Sequence, residues 1–197
     1  MRVLKASDHK RMRWKNGGGE TVEIAVHPAN ADLADFHWRV SVASVAVDGP
    51  FSVFPGVDRT LALLSGEGME LAVEGMGTHR LSPTSSPLAF PADAPTSARL
   101  LGGPITDLNI MTRRSGFTHR MQRLGGEGIT ANGPCTVLVA AEASLIAVNG
   151  EELQLERLDA LVLESPARIE RGNETAQVFV VEIDALSPSR QDYRSVY

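Results

Sequence analysis

Arginine, carboxylate and amide side chains recur on strand-like stretches of this chain, and that combination can hold a small anion. Glu23 shares a face with Thr21, opposite Val22, Ile24 and Val26. Arg39 and Ser41 share a face opposite Trp38, Val40 and Val42. Asp107 and Asn109 lie with Met111, opposite Leu108 and Ile110, and Arg59 opens a further stretch with Leu61 and Leu63 on its face. Successive side chains of a strand point to opposite faces, so each group is displayed on one side. A polar strand face usually meets water. Arginine, however, offers a planar five-donor fork suited to carboxylates. Asp and Asn are depleted in strands, so two of them in one strand call for a reason. Taken together they fit a concave small-ligand site with a few convergent polar groups.

Other chemistries find less support. His9, His27, His37, His79 and His119 are scattered and never spaced as a ligand pair. A catalytic metal needs about three converging ligands, so neither metal nor cofactor is expected. No Gly-x-Ser-x-Gly elbow occurs. Cys135 opens the apolar run Thr136–Val139 and reads as an inert core thiol. The string Trp14-Lys15-Asn16-Gly17-Gly18-Gly19-Glu20-Thr21 precedes a strand rather than a helix, which excludes a dinucleotide fingerprint, and it lacks the Lys-Ser/Thr of a phosphate loop. Its three glycines suit a turn, a bulge or close backbone approach. Arg113, Arg114, Arg120 and Arg123 with His119 form the densest basic segment. Such a segment is more often a solvated connector or an acid-paired one than a nucleic-acid surface.

The elements that must position these groups are strands. Glycine and proline punctuate the chain closely, which favours a sandwich or barrel over βαβ units. Strands are expected near 21–26, 38–47, 60–65, 69–73, 88–90, 97–101 and 106–112. After Gly133-Pro134 they resume at 135–141, 144–148, 153–155, 160–164, 167–170 and 176–183. Helix is expected only as one turn in 29–36 and a short connector over 115–124. The stretch from Glu70 to Met111 repeats in pattern from Leu145 to Val181, which suggests duplicated β-units.

The chain has 197 residues, one cysteine and a net charge of −5, with 43% hydrophobic and 22% charged residues. That is ordinary globular composition with enough chain for a sizeable core. The acidic balance disfavours general nucleic-acid binding. No apolar run approaches the roughly 18 residues that span a bilayer, and the start turns polar before a signal-peptide core can form. A cytoplasmic protein with no membrane partner is the expectation.

Trp14-Lys15-Asn16-Gly17-Gly18-Gly19, Trp38-Arg39-Val40-Ser41-Val42-Ala43, the run Gly49–Arg59, Leu64-Ser65-Gly66 and the run Asp107–Arg114 come in an order that resembles the HutD/Ves family. The likeness covers roughly residues 10–115. It implies an all-β bicupin, two cupin-like jelly-roll barrels in one chain with few short helices. Residues 1–124 would form an N-terminal barrel with the ligand pocket. Residues 125–197 would form a structural C-terminal barrel, filled near Val137, Val139, Leu161 and Leu163, with strands free to exchange between the two.

The resemblance also implies a role in histidine utilisation or stress, and Asn16 and Arg59 as ligand contacts. Urocanate or N-formylglutamate are the carboxylates it suggests. The first reading is therefore a non-catalytic carboxylate-binding protein. Arg39 or Arg59 would grip the acid, Asn16, Ser41 and Asn109 would orient it, and Glu23 or Asp107 would hold an arginine or take an amine. The alternatives are a metal-independent isomerase or hydrolase using Glu23 or Asp107 as base, and a scaffold acting through 113–123 and the acidic second half. A homodimer is left open.

Overall fold

The computed structural model describes residues 1–14 and 17–186. Among these, regular structure is all β apart from a 3-10 turn at Ala6–Asp8. The first strands are β1 (Arg2–Leu4), β2 (Lys10–Arg13), β3 (Gly19–His27), β4 (Trp38–Val45), β5 (Gly49–Pro50) and β6 (Val57–Ser65). Next come β7 (Met69–Val73), β8 (Gly77–Leu81), β9 (Leu88–Pro91), β10 (Thr96–Leu100), β11 (Ile105–Arg113) and β12 (Phe117–Arg123). The last are β13 (Ile129–Ala131), β14 (Cys135–Ala140), β15 (Ser144–Val148), β16 (Glu151–Leu155), β17 (Ala160–Leu163), β18 (Ala167–Arg171) and β19 (Val178–Ala185). No helix of the described residues is long and apolar enough to cross a membrane.

The two expected helical stretches fold otherwise. Phe117, Met121 and Leu124 have helix-like spacing, yet 117–123 is a strand paired with β19 from Phe117↔Ala185 to Arg123↔Phe179. The element that completes its period of two is His119, a polar residue kept half-buried by hydrogen bonds to Thr60 Oγ1 and Thr112 Oγ1, both 2.8 Å. Residues 29–36 close one Phe36 N–H to Asp32 C=O bond of 3.2 Å. Asp32 and Asp35 cap neighbouring amides there instead of extending a helix.

The strands form four open sheets stacked as layers. The orders are β5-β10-β7-β8, then β2-β3-β4-β11-β6-β9, then β1-β17-β14-β19-β12, then β13-β18-β15-β16. Strand for strand, β12–β19 repeats the pairing of β4–β11, and the repeat legible in the sequence, 70–111 against 145–181, covers its β7–β11 and β15–β19 part. The N-terminal arm adds β2 and β3 to the second layer and β1 to the third.

Alternation of side chains makes the layers stick. Val40, Val42, Leu108 and Ile110 of the second layer meet Val137, Val139, Phe179 and Val181 of the third in one buried core. Leu138, Ala140, Leu161 and Leu163 point the other way, against Ile146, Val148 and Ile169 of the fourth. Val137 and Val139 thus face away from Leu161 and Leu163 rather than sharing an interior with them, because Val137 pairs with Val162 and Leu138 with Leu161. Ala43, Val45, Leu61 and Leu63 pack against Met69, Leu71 and Val73 of the first layer. Burying a leucine or valine side chain is worth about 1.5–3 kcal/mol, so these three seams supply the main cohesion.

Candidate functional site

The second-layer face that looks toward the first layer is apolar at one end and polar at the other. Register explains the polar end. Met111 of β11 pairs with Arg39 of β4 on one side and Arg59 of β6 on the other. The next inward-facing position, Asn109, pairs with Ser41 and Leu61, and Asp107 with Ala43 and Leu63. Glu23 of β3 pairs with Ser41. The two arginines stand two strand spacings apart, about 10 Å between their backbones, with β11 between them.

A cavity of about 630 Å³ opens above this patch, lined by Arg39, Ser41, Arg59, Asp107, Asn109 and Met111 from the sheet. Its walls come from Trp14, Thr21, Leu33, Phe51 and Phe54, with Val47 also lining it. Trp14 is held by an indole N–H to Thr21 Oγ1 bond of 2.8 Å. The turn carrying it ends at Gly19, whose added Cβ would lie 2.3 Å from the Ser44 carbonyl oxygen. Here the glycine run provides close backbone approach between β3 and β4. Leu33 and Val47 are exposed.

Each arginine is tethered by one side of its fork. Arg39, 5% exposed, donates Nε to Glu23 Oε2 at 2.7 Å and Nη1 to Ser41 Oγ at 3.4 Å. Arg59 donates Nε and Nη2 to Asn109 Oδ1 at 2.8 and 2.6 Å. Its guanidinium lies 4.5 Å from the Phe51 ring centroid and 5.9 Å from that of Phe90, a cation–π setting. Arg59 Nη1 and Arg39 Nη2 take part in none of these bonds. Lost hydration lowers the Arg59 pKa to about 10, Asp107 opposing the shift and Arg39 adding to it.

Asn109 passes the chain on, donating Nδ2 to Asp107 Oδ1 at 2.5 Å. Asp107 and Asn109 are each 1% exposed. Burial pushes the Asp107 carboxyl up to about 6, with Arg59, Asn109 and the Ala43 amide offsetting part of the rise. Asp107 Oδ2 has no hydrogen-bond partner among the described residues.

Five of the residues singled out from sequence therefore line one cavity: Arg39, Ser41, Arg59, Asp107 and Asn109. Glu23 stands behind Arg39 as its counter-ion. Asn16 lies outside the described residues. Asn109 serves as the anchor of Arg59. The aromatic walls Phe51 and Phe54 were not among the chosen residues, because loop aromatics carry no periodic signal. Among the described residues, no three His, Cys, Asp or Glu side chains converge as a metal needs. Two guanidiniums on the cavity wall also oppose a cation there.

The basic segment is spent internally. Arg114 bonds Asp58 at 2.8 Å and Asp93 at 3.1 Å, and Arg120 pairs with Glu182. Arg113 and Arg123 donate to backbone carbonyls, Phe36 and Ala34 for the first, Pro83 and Leu63 for the second.

Stacked sheets with a walled polar cavity define the class: an all-β protein of cupin-like fold. The solved cupin 2 conserved barrel domain protein of Leptotrichia buccalis shares that fold, at a TM-score of 0.54 and 13% identity over 90% of this chain and 96% of that one. The chain belongs to the HutD family, whose model matches residues 6–180. It is 36% identical over 167 residues to an uncharacterized 21.2 kDa protein in the hutC 3' region of Pseudomonas putida, covering 83% of this chain and 87% of that protein. It is 48% identical over 104 residues to Protein Ves of Citrobacter koseri, 51% of this chain and 52% of that one. HutD of Pseudomonas fluorescens SBW25, solved in a formate condition, matches with a TM-score of 0.80 and 30% identity over 94% of this chain and 99% of that chain.

Proposed function

We propose that the protein binds a small carboxylate in the Arg39–Arg59 cavity without transforming it, and so modulates histidine utilisation or a stress response. The observation that carries this reading is the pair of tethered arginines with unspent donors on one cavity wall. Tethering removes rotamer freedom before a ligand arrives, which lowers the cost of binding. A charge-assisted hydrogen bond contributes about 1.5–3 kcal/mol. Micromolar affinity requires about 8.2 kcal/mol, so both arginines and the aromatic walls must act together. The formate condition of the P. fluorescens relative and the hutC neighbourhood of the P. putida relative are consistent with an acid from histidine breakdown.

The repeated strand order supports reading β4–β11 and β12–β19 as two cupin-like jelly rolls, a bicupin, with the ligand in the first and a structural role for the second. In the second unit Leu138, Leu161, Leu163 and Val180 fill most of the corresponding face, and the Thr136–Glu182 pair, two residues further along the same strands, continues it as a buried polar end.

Calorimetric titration with formate, urocanate, N-formylglutamate and histidine tests the proposal. Saturable binding of one acid, lost in Arg59→Ala, is expected. No binding by any of them refutes it. One observation favours a second reading: a carboxyl raised to about 6 in a cavity can act as a general base. Turnover of a bound acid that Asp107→Asn abolishes would replace binding with catalysis. Glu23 is the weaker base candidate, since its carboxylate already holds Arg39.

A further inference from the structure

Resting on the carboxylate reading above, we propose that the cavity ligand carries a hydrogen-bond donor as well as an acid group, and that Asp107 Oδ2 is the acceptor that reads it. The argument starts from what each polar group of the cavity wall has already spent. Arg59 uses Nε and Nη2 on Asn109 Oδ1. Asn109 uses Nδ2 on Asp107 Oδ1. Arg39 uses Nε on Glu23 and Nη1 on Ser41.

The residues paired with Asp107 across the sheet are Ala43 and Leu63, neither of which has a polar side chain. The Ala43 amide acts on this carboxyl, yet Oδ2 of this cavity-lining residue is buried and without a hydrogen-bond partner among the described residues. A buried acceptor left without a donor bears its full desolvation cost, and native structures keep few of them. Inside the exposed Arg13, Asp48 and Ser52, what the sheet wall offers is two cationic donor edges and one lone acceptor. Its complement is an anion joined to an N–H or O–H, on an apolar body that fits between Phe51, Phe54 and Met111. Heteroaromatic acids with a ring N–H, and acylamino or amino acids, have that pattern. Plain aliphatic acids do not.

A plain acid would leave Asp107 Oδ2 buried without a donor. The charged group facing that carboxyl is Arg59 from β6, with Arg39 from β4 acting on Arg59 and Glu23 from β3 behind Arg39. A ligand that brings its own donor satisfies that oxygen at the same net charge. Sites built to hydrogen-bond a donor reject analogues lacking it far more strongly than apolar pockets reject a size change.

The probes are pyrrole-2-carboxylate and 2-furoate, equal in shape, with the ring N–H of one replaced by a ring oxygen in the other. Titration of the full chain is expected to show pyrrole-2-carboxylate binding at least tenfold tighter. Asp107→Asn is expected to erase that preference, because the Oδ1 acceptor for Asn109 is kept while Oδ2 becomes a donor. Equal affinities in the wild type overturn this inference and leave the carboxylate reading standing. Failure of both acids to bind at millimolar concentration overturns the carboxylate reading and this inference with it. Should the variant fail to fold, the wild-type pair of titrations decides alone.

Discussion

Asp107→Asn is expected to change how stability depends on pH. Burial lifts the Asp107 carboxyl from its ordinary 3.8 to about 6. Its contribution is then fully present below pH 3.8 and is lost as pH rises through 6. A shift of one unit is 1.36 kcal/mol, so the ionised residue costs the fold about 3 kcal/mol at neutral pH. His119 works in the opposite sense. Burial lowers its pKa from 6.5 to about 4, with Asp58 offsetting part. Its contribution is present above pH 6.5 and lost as pH falls through 4. Solvent screening of a half-buried ring leaves about 2–3 kcal/mol. Between pH 4 and 6.5 the two groups oppose one another, and the wild type hides both. In urea titrations from pH 4 to 8, Asp107→Asn minus wild type should climb by about 2 kcal/mol between pH 4 and pH 7, the rest of the span lying below pH 4. All other groups cancel in that difference. A flat difference curve refutes the reasoning, since it means the carboxyl titrates as it does in the unfolded chain.

Other perturbations have equally definite outcomes. His119→Gln minus wild type should rise by about 2–3 kcal/mol as pH falls from 7 to 4, the mirror image of the aspartate curve, read by the same urea titrations. Glu23→Ala strands a buried guanidinium at Arg39 and should cost about 3 kcal/mol, read as a fall in melting temperature. Gly19→Ala forces a Cβ into the Ser44 carbonyl and should cost about 1–3 kcal/mol in chemical denaturation. Asp159→Ala removes the acceptor for Lys5 Nζ at 2.7 Å and for the Ala6 and Glu156 amides at 2.8 and 3.1 Å. It should speed proteolysis within the first nine residues, measured by mass spectrometry of the released peptides.

Strand positions were legible wherever two periods of alternation ran between turn residues, as at 69–73 and 144–148, which match β7 and β15. The same alternation placed Arg39 with Ser41 and Asp107 with Asn109 on the cavity face. What alternation cannot give is register across strands, so it does not show that Arg39 and Arg59 flank the same methionine. β2 reads Lys-Arg-Met-Arg and is mostly exposed, an edge strand whose pairing alone defines it. The strand character of β12 does not show in the sequence because the burial of His119 depends on Thr60, 59 residues away, and on Thr112 of the neighbouring strand. Asp107 stood out as an unusual strand residue. Its lone oxygen became visible only once every neighbouring donor was accounted for.

The N-terminal arm has one more consequence. Residues 2–13 give one strand to each inner sheet, pairing β1 with β17 and β2 with β3, and the two inner sheets share a largely apolar seam, crossed by the His119 bonds to Thr60 and Thr112. The halves are therefore partners in the manner of an obligate dimer whose subunits happen to be joined. A backbone cut in the exposed turn between β11 and β12 would leave two pieces, each with a greasy sheet that only the other can cover. Those pieces would stay together through a gel filtration column and, made separately, would be soluble only when mixed.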